Sequence, residues 1–317
     1  MIQETNQIWT PPPNLKISDW ADNYRRLSPE SSAEAGQWKS DRAPFQREIM
    51  DSFNDPDIQR IVFMKSAQVG ATEILLNVIG YYIDQDPSPM LIMQPTLQMA
   101  QAFSKDRLAT MIRDSEKIRD CVKDPRSRDS GNTVLSKKFA GGNLNIVGSN
   151  SASGLASRPI RIVLADEVDR YEQSAGAEGD PISLATKRTT TFWNKKIYMC
   201  STPTIKGLSR IETAFEESDK RYYHVPCPEC NEKQVLKWKN VVWDEDKPET
   251  ASYACKHCGS VIDESKKQWM LKHGEWIASA PKSNTAGFHI SELYSVWSTW
   301  AQMATNLLEA KKNPETL

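Results

Sequence analysis

The sequence predicts an α/β fold: a mostly parallel sheet flanked by helices, with a small cysteine-bearing module after it. Three observations carry this. Short, mostly apolar runs recur from about Pro44 onward: IVFM at 61–64, MLIM at 90–93, IRIVLA at 160–165 and KIYMCS at 196–201. Stretches of helical spacing separate them, the pattern of strands buried on both faces of a parallel sheet. Near Arg221 the composition shifts, and 222–280 holds two C-x-x-C pairs, several Trp and few helical patterns.

Composition bounds the rest. At roughly 150 residues per domain, 317 residues suggest about two domains. The chain carries 40 Lys and Arg against 41 Asp and Glu, a net charge of −1. With 39% apolar residues, 10 Trp, 9 Tyr and 8 Phe, it is too apolar and too neutral to be disordered. No apolar run approaches the length of a membrane span, so no membrane partner is expected. A wholly basic DNA-coating protein is excluded, although a local basic patch is not. The opening MIQETNQIWTPPPN lacks the basic and apolar regions of a signal peptide, which points to a cytoplasmic protein. Thiols stay reduced there, so paired cysteines suggest a metal before disulfides.

Taken in order, residues 1–43 are a polar lead segment with Trp9, Trp20, Trp38 and the run Pro11–Pro13, read as short helices draped on the next domain. Residues 44–220 form the α/β domain. A helix over Gln46 to Phe53 precedes IVFM, and the helix from 71 places Ile74, Leu75, Val78, Ile79 and Tyr82 on one side. MLIM closes at Pro95, and a long helical segment runs to about Arg119. TVLSKKF, then Gly141-Gly142, then NLNIVG reads as a hairpin. Residues 221–280 are the cysteine module, with QVLKW (234–238) and VVW (241–243) as its hairpin. Residues 281–317 are expected to be a helical linker within a longer protein: helical spacing returns over 286–317, and the segment ends at KKNPETL with no packed domain closing.

KSAQVGAT occupies 65–72, directly after a strand and before a helix. Backbone N–H groups of such a turn, together with the helix N-terminus, cradle phosphate. Against the string G-x-x-x-x-G-K-[ST], Gly70 is the second Gly and Thr72 the hydroxyl. Ala71 replaces the usual Lys, and Lys65 stands where the first Gly would be. Lys65 would therefore meet the β- and γ-phosphates from the front of the loop, with Ser66, Ala67, Gln68, Val69, Gly70 and Ala71 around them. Thr72 would offer its hydroxyl to Mg²⁺.

IRIVLADEVDR ends an apolar run in Asp166 and Glu167, and carboxylates there lie at the ligand edge of a parallel sheet. Asp166 would hold Mg²⁺ through its water shell. Glu167 would orient and deprotonate the attacking water, since phosphoryl transfer needs positioning and charge neutralisation above all. In KIYMCSTPT, Ser201 and Thr202 end a third apolar run and are placed to report hydrolysis. Each element alone has a plain reading: a small-residue turn, a strand cap, a proline turn. Together, and in this order, they predict ATP hydrolysis. A GTPase is disfavoured because no N-K-x-D follows the acidic strand.

The chain resembles the large subunit of lambda-like tailed-phage DNA-packaging terminases. The resemblance is carried by SDWADNYRRLSPESSAE (18–34), PFQREIMD (44–51), KSAQVGAT, SASGLASRPIRIVLADEVD (151–169), CSTPT, YHVPCPEC (223–230) and FHISELYSVWSTW (288–300). Lys65 at the front of the loop fits that family's deviant phosphate loop. The resemblance implies a RecA-like ATPase domain over 44–220, which in a ring of subunits pumps double-stranded DNA into a procapsid in the host cytoplasm. It also implies a small terminase subunit and a portal as partners, and a C-terminal nuclease domain. That domain is not evident here, so no endonuclease activity is expected from this chain alone. Gln46 would contact adenine, with Phe45 beside the base.

Arg158, in the Gly/Ser-rich segment before the acidic strand, is the candidate clamp on the transition state, because guanidinium is forked and permanently charged; Arg161 is read as structural. Lys137, Lys138, Arg126 and Arg128 are candidate DNA-phosphate contacts. Two rival functions remain: a DNA-dependent ATPase of helicase or remodeller type, and a non-enzymatic zinc-ribbon binding module with a decayed nucleotide fold.

Cys227-x-x-Cys230 and Cys255-x-x-Cys258 enclose a gap of 24 residues. Four thiolates close a tetrahedral sphere, the structural rather than catalytic zinc arrangement, and Gly259 lets the backbone curl back. Two disulfides or four free thiols are the alternatives. His257 is a spare ligand candidate read as solvent-facing, and Cys121 and Cys200 are read as semi-buried and inert. A module this small should unfold on metal loss.

Overall fold

A computed structural model describes residues 15–123, 131–156, 158–245 and 247–312. Among the described residues, ten strands form the main sheet. From one edge, the order is Lys233–Gln234, Arg221–Pro226, Thr285–Ile290, Arg60–Lys65, Lys196–Ser201, Ile162–Asp166, Pro89–Gln94, Gly142–Gly148 and Ser136–Phe139. Glu275–Ala278 pairs with Arg221–Pro226 as well. The pairings from Arg221–Pro226 through Gly142–Gly148 are parallel, while the flanking pairings are antiparallel. The strands form where the apolar runs lie: Ile61–Lys65, Met90–Gln94, Ile162–Asp166 and Lys196–Ser201 are buried throughout, as strands covered on both faces must be. The parallel alignment brings Lys65, Gln94, Asp166 and Ser201 to one edge of the sheet.

The lead segment is built into the core. Helix Ile17–Tyr24 lays a fully buried Trp20 on the helix Ala71–Asp84, where its indole Nε1 donates to Asp84 Oδ2 at 2.8 Å. Gly80 makes that approach possible, because a Cβ there would sit 2.3 Å from the Trp20 ring. The long segment before Arg119 is helical with interruptions: Leu97–Ala102, a π-helical turn over Phe103–Leu108, Ala109–Asp114, and Glu116–Cys121 after Ser115. The hairpin forms with Phe139 opposite Gly142 and Gly141 at φ 80°.

Three expectations change. Residues from 286 do not begin a helix: Thr285–Ile290 is a strand between two parallel neighbours, and helix begins only at Trp300. Burial on both faces erases the alternation that would have marked it, the ambiguity of any short apolar run. Within QVLKW only Gln234 is strand, and VVW instead pairs with Lys247–Ala254 in a three-stranded sheet completed by Val261–Ile262. Sheet pairing also runs across the expected boundaries at 220/221 and 280/281. Tyr294 reinforces that continuity: its hydroxyl donates to Tyr223 O at 2.6 Å and accepts from Leu236 N at 2.7 Å. Trp9, the prolines 11–13, Arg126 and Arg128 lie outside the described residues. Among the described residues, no helix is long and apolar enough to cross a membrane.

Candidate functional site

The loop after Lys65 turns through two left-handed positions, Gln68 at φ 58° and Gly70 at φ 74°. Gly70 is required twice over: by its φ, and because a Cβ would fall 2.5 Å from Gln46 Nε2 and 2.9 Å from the Trp297 ring. The loop is clamped from outside. Gln46 Nε2 donates to Val69 O at 2.9 Å, Ser295 Oγ to Gln68 O at 2.7 Å, and Ser66 N to Ile290 O at 3.1 Å. Ala67 and Gln68 are exposed at its crown, Ser66 and Gly70 are half-buried, and Val69 and Ala71 are buried. Thr72 is half-buried in the first turn of helix Ala71–Asp84, where free N–H groups and the helix dipole favour an anion.

Lys65 and the acidic pair converge. Lys65 Nζ lies 2.7 Å from Glu167 Oε1, although the residues stand 102 positions apart. Burial disfavours the Lys65 ammonium, but Glu167 and Asp166 outweigh it and hold its pKa above the ordinary value. Glu167 sits at φ 54°, a left-handed conformation rare outside glycine. Its Oε2 is buried without a hydrogen-bond partner, and Arg170 Nε is 3.6 Å away. A buried acceptor of this kind fits a water or hydroxyl held for chemistry. Burial raises the Asp166 pKa, and two donors pull it back: Cys200 Sγ at 3.0 Å from Oδ1 and Gln94 Nε2 at 3.0 Å from Oδ2. Ser201 Oγ accepts from Asp169 N at 3.2 Å and donates to Thr202 O at 3.0 Å, tying the third strand end to the turn after Glu167.

Beside the loop lies a cavity of about 250 Å³ whose walls include Trp38, Arg42, Gln46, Glu73 and Trp297. Gln46 is fully buried, and its Oε1 has no partner. Phe45 points elsewhere, with its ring 6.1 Å from that of Tyr223.

Other expected residues stand apart. Arg158 is exposed and lines a different cavity with Leu91, Asn145, Val147 and Ile160; the structure does not bring it to Lys65 or Glu167. Arg161 is structural, donating to both Asp86 oxygens at 2.7 and 2.6 Å. Lys137 is buried, its ammonium on Thr133 O at 2.5 Å, so it does not offer a free charge; Lys138 is exposed. Cys200 is not semi-buried and inert but wholly buried and engaged with Asp166. Sequence reasoning gave no role to Gln94, Cys200, Ser295 or Trp297. The apolar strand containing Cys200 gives no sign of a polar contact, and the last two belong to a segment noted only as part of a resemblance.

The four paired cysteines form a second site. Their sulfurs all lie within 4.8 Å of one another, with Cys227 to Cys258 at 3.9 Å and Cys230 to Cys255 at 3.8 Å, and none is in a disulfide. A tetrahedral ion with Zn–S of about 2.3 Å requires sulfurs roughly 3.8 Å apart, so the set fits. Both knuckles repeat one pattern. Glu229 N and His257 N each donate to the first sulfur at 3.4 Å. Asn231 N and Gly259 N close on the first cysteine's carbonyl at 2.9 and 3.0 Å, and both residues are left-handed, at φ 61° and 74°. His257 is exposed and not part of the cluster.

A parallel sheet whose strand ends gather a lysine-fronted turn and an acidic pair defines the P-loop α/β class. Residues 32–276 match the family described as phage terminase large subunit gpA, ATPase domain, and the chain belongs to that family. It is 32% identical to the terminase large subunit of Enterobacteria phage P21 and 29% identical to that of Escherichia phage lambda; each alignment covers 96% of this chain and 51% of the relative. The chain thus spans about half the length of these relatives. Among solved structures, the HK97 bacteriophage large terminase shares the fold, with a TM-score of 0.51 and 10% identity over 64% of this chain and 40% of that one. The predicted α/β architecture, with a mostly parallel sheet, is borne out.

Proposed function

We propose that this chain is the ATP-hydrolysing part of a phage genome-packaging motor that drives double-stranded DNA into a procapsid. One observation carries the reading: Lys65, from the front of the phosphate loop, and Glu167, just after a strand two places away in the sheet, meet at 2.7 Å at the strand ends. Lys65 binds the β- and γ-phosphate oxygens as a point charge, and the backbone from Ser66 to Ala71 wraps them. Thr72 and Asp166 would hold Mg²⁺, which would supply neutralisation of the phosphate charge. Glu167, released from Lys65 as the phosphates take that ammonium, orients water and accepts its proton. Ser201 and Thr202 carry the change onward through Asp169.

Gln46 supports adenine as the base. With Nε2 committed to Val69 O, its buried Oε1 can only accept a hydrogen bond, which suits the exocyclic amine of adenine and not the carbonyl of guanine. The four cysteines hold a structural Zn²⁺. Arg158, exposed and lining a separate cavity, is better placed to act on a neighbouring subunit of a ring. The small terminase subunit and the portal are the further partners, and the host cytoplasm is the setting.

ATP turnover, measured with and without duplex DNA at several protein concentrations, tests this. Turnover that rises with both is expected. A chain that binds no ATP, or hydrolyses it with indifference to DNA at every concentration, overturns the motor reading.

A further inference from the structure

The two donors on Asp166 have no role so far. Gln94, Asp166 and Cys200 lie on three neighbouring strands, and Cys200 stands directly opposite Asp166 in register. Their exposures are 3%, 8% and 0%. Asp166 is thus held from both sides: the Cys200 thiol donates to Oδ1 and the Gln94 amide to Oδ2, each at 3.0 Å. One donor per oxygen, from opposite strands, fixes the plane of the carboxylate while leaving each oxygen further acceptor capacity.

We infer that Cys200 and Gln94 are positioning residues that hold the Asp166 carboxylate in the orientation at which its remaining lone pairs meet the magnesium shell. This rests on the nucleotide reading of Asp166 and adds two residues that reading leaves unassigned. Partners behind a ligand typically govern metal affinity by 10–100-fold.

Three variants separate positioning from packing: Cys200→Ala removes the donor, Cys200→Ser keeps one, and Gln94→Leu removes the opposite donor at similar volume. Mn²⁺ binding in the presence of ADP, followed by electron paramagnetic resonance, reads the metal site without turnover. Cys200→Ala and Gln94→Leu should weaken Mn²⁺ by about 10-fold, and Cys200→Ser by less than about threefold. The Mg²⁺ concentration for half-maximal ATP turnover should rise in the same order, with the rate recovering at high Mg²⁺. In the nucleotide-free protein, the S–H stretching band should move to higher frequency in Asp166→Asn, which loses the anionic acceptor; this readout needs no variant at Cys200 or Gln94.

Unchanged Mn²⁺ binding in Cys200→Ala, equal losses in Cys200→Ser and Cys200→Ala, or an unmoved S–H band overturns the inference, as does a wild-type chain that takes up no Mn²⁺ with ADP. Absent ATP turnover with normal Mn²⁺–ADP binding and a shifted band would instead sink the motor reading and leave this one standing.

Discussion

The two sites of this chain are built by opposite means. The cysteine cluster is two copies of one local turn: a sulfur, two residues, a second sulfur and a left-handed residue, with the same N–H···S and closing backbone bonds in each. The convergent site at the strand ends has no local copy of anything. It gathers Lys65, Gln94 and Cys200 from three strands and Glu167 from the turn that follows a fourth, and the sheet's parallel order makes them neighbours. A local turn carries its chemistry with it wherever it folds. A convergent site depends on register, so its residues can be found only as strand ends, and their supports hardly at all.

That difference explains what could be read in the sequence. The four cysteines were legible because spacing alone defines them. Lys65, Asp166 and Glu167 were legible because each ends or follows an apolar run, and strand ends in a parallel sheet face the ligand. Cys200 was not: it stands inside such a run and reads as one more small apolar residue. Thr285–Ile290 was missed because a strand buried on both sides loses its period. Asn231 could have been found, since it occupies in CPECN the place that Gly259 holds in CKHCG.

The largest expected effect falls on the convergent site. Glu167→Gln keeps the shape and loses the base, so kcat should fall by about 10²–10⁴-fold while ATP is still bound; single-turnover hydrolysis with parallel nucleotide binding checks both. Zinc content should stay at about one ion per chain, as expected for a site of four thiolates. Turnover equal to wild type would remove Glu167 as the base.

Stripping the metal reverses the comparison. Elemental analysis should give about one zinc per chain, and a strong chelator, or Cys230→Ser, should free the amides of 227–262 to exchange with solvent. The strands Arg60–Lys65 and Lys196–Ser201 should remain protected, because they pack in the sheet away from the knuckles. The shared strands and the Tyr294 bonds leave one way for this to fail: if protection is lost across the whole sheet, the cluster is a keystone of the ATPase domain and not an appendage. A folded, metal-free protein with protected thiols would refute the zinc assignment itself.

Gly70→Ala probes the loop that the convergent site depends on. A left-handed alanine costs about 1–2 kcal/mol, and its Cβ would also press on Gln46 and Trp297. ATP affinity should fall by about 10-fold or more, measured by nucleotide titration, with the metal content of the cysteine cluster untouched. Affinity within twofold of wild type, which is under about 0.5 kcal/mol, would mean that the loop is not held in this conformation when it binds.

The smallest effect tests the outer clamp. Ser295 Oγ donates to Gln68 O at 2.7 Å and accepts from Trp297 N at 3.2 Å, so one hydroxyl joins the crown of the loop to the segment that walls the adjacent cavity. Ser295→Ala removes both of these partly buried bonds, the one to the loop worth about 1 kcal/mol. Because Gln68 holds a left-handed φ of 58° that an unsupported glutamine rarely keeps, the loss should appear as a softer loop. KM for ATP should rise about fivefold, with kcat nearly unchanged, since Lys65, Asp166 and Glu167 stay in place. A fall in kcat with KM unchanged would show instead that the clamp acts on the chemistry, and that the convergent site extends to a fifth strand's continuation beyond Ile290.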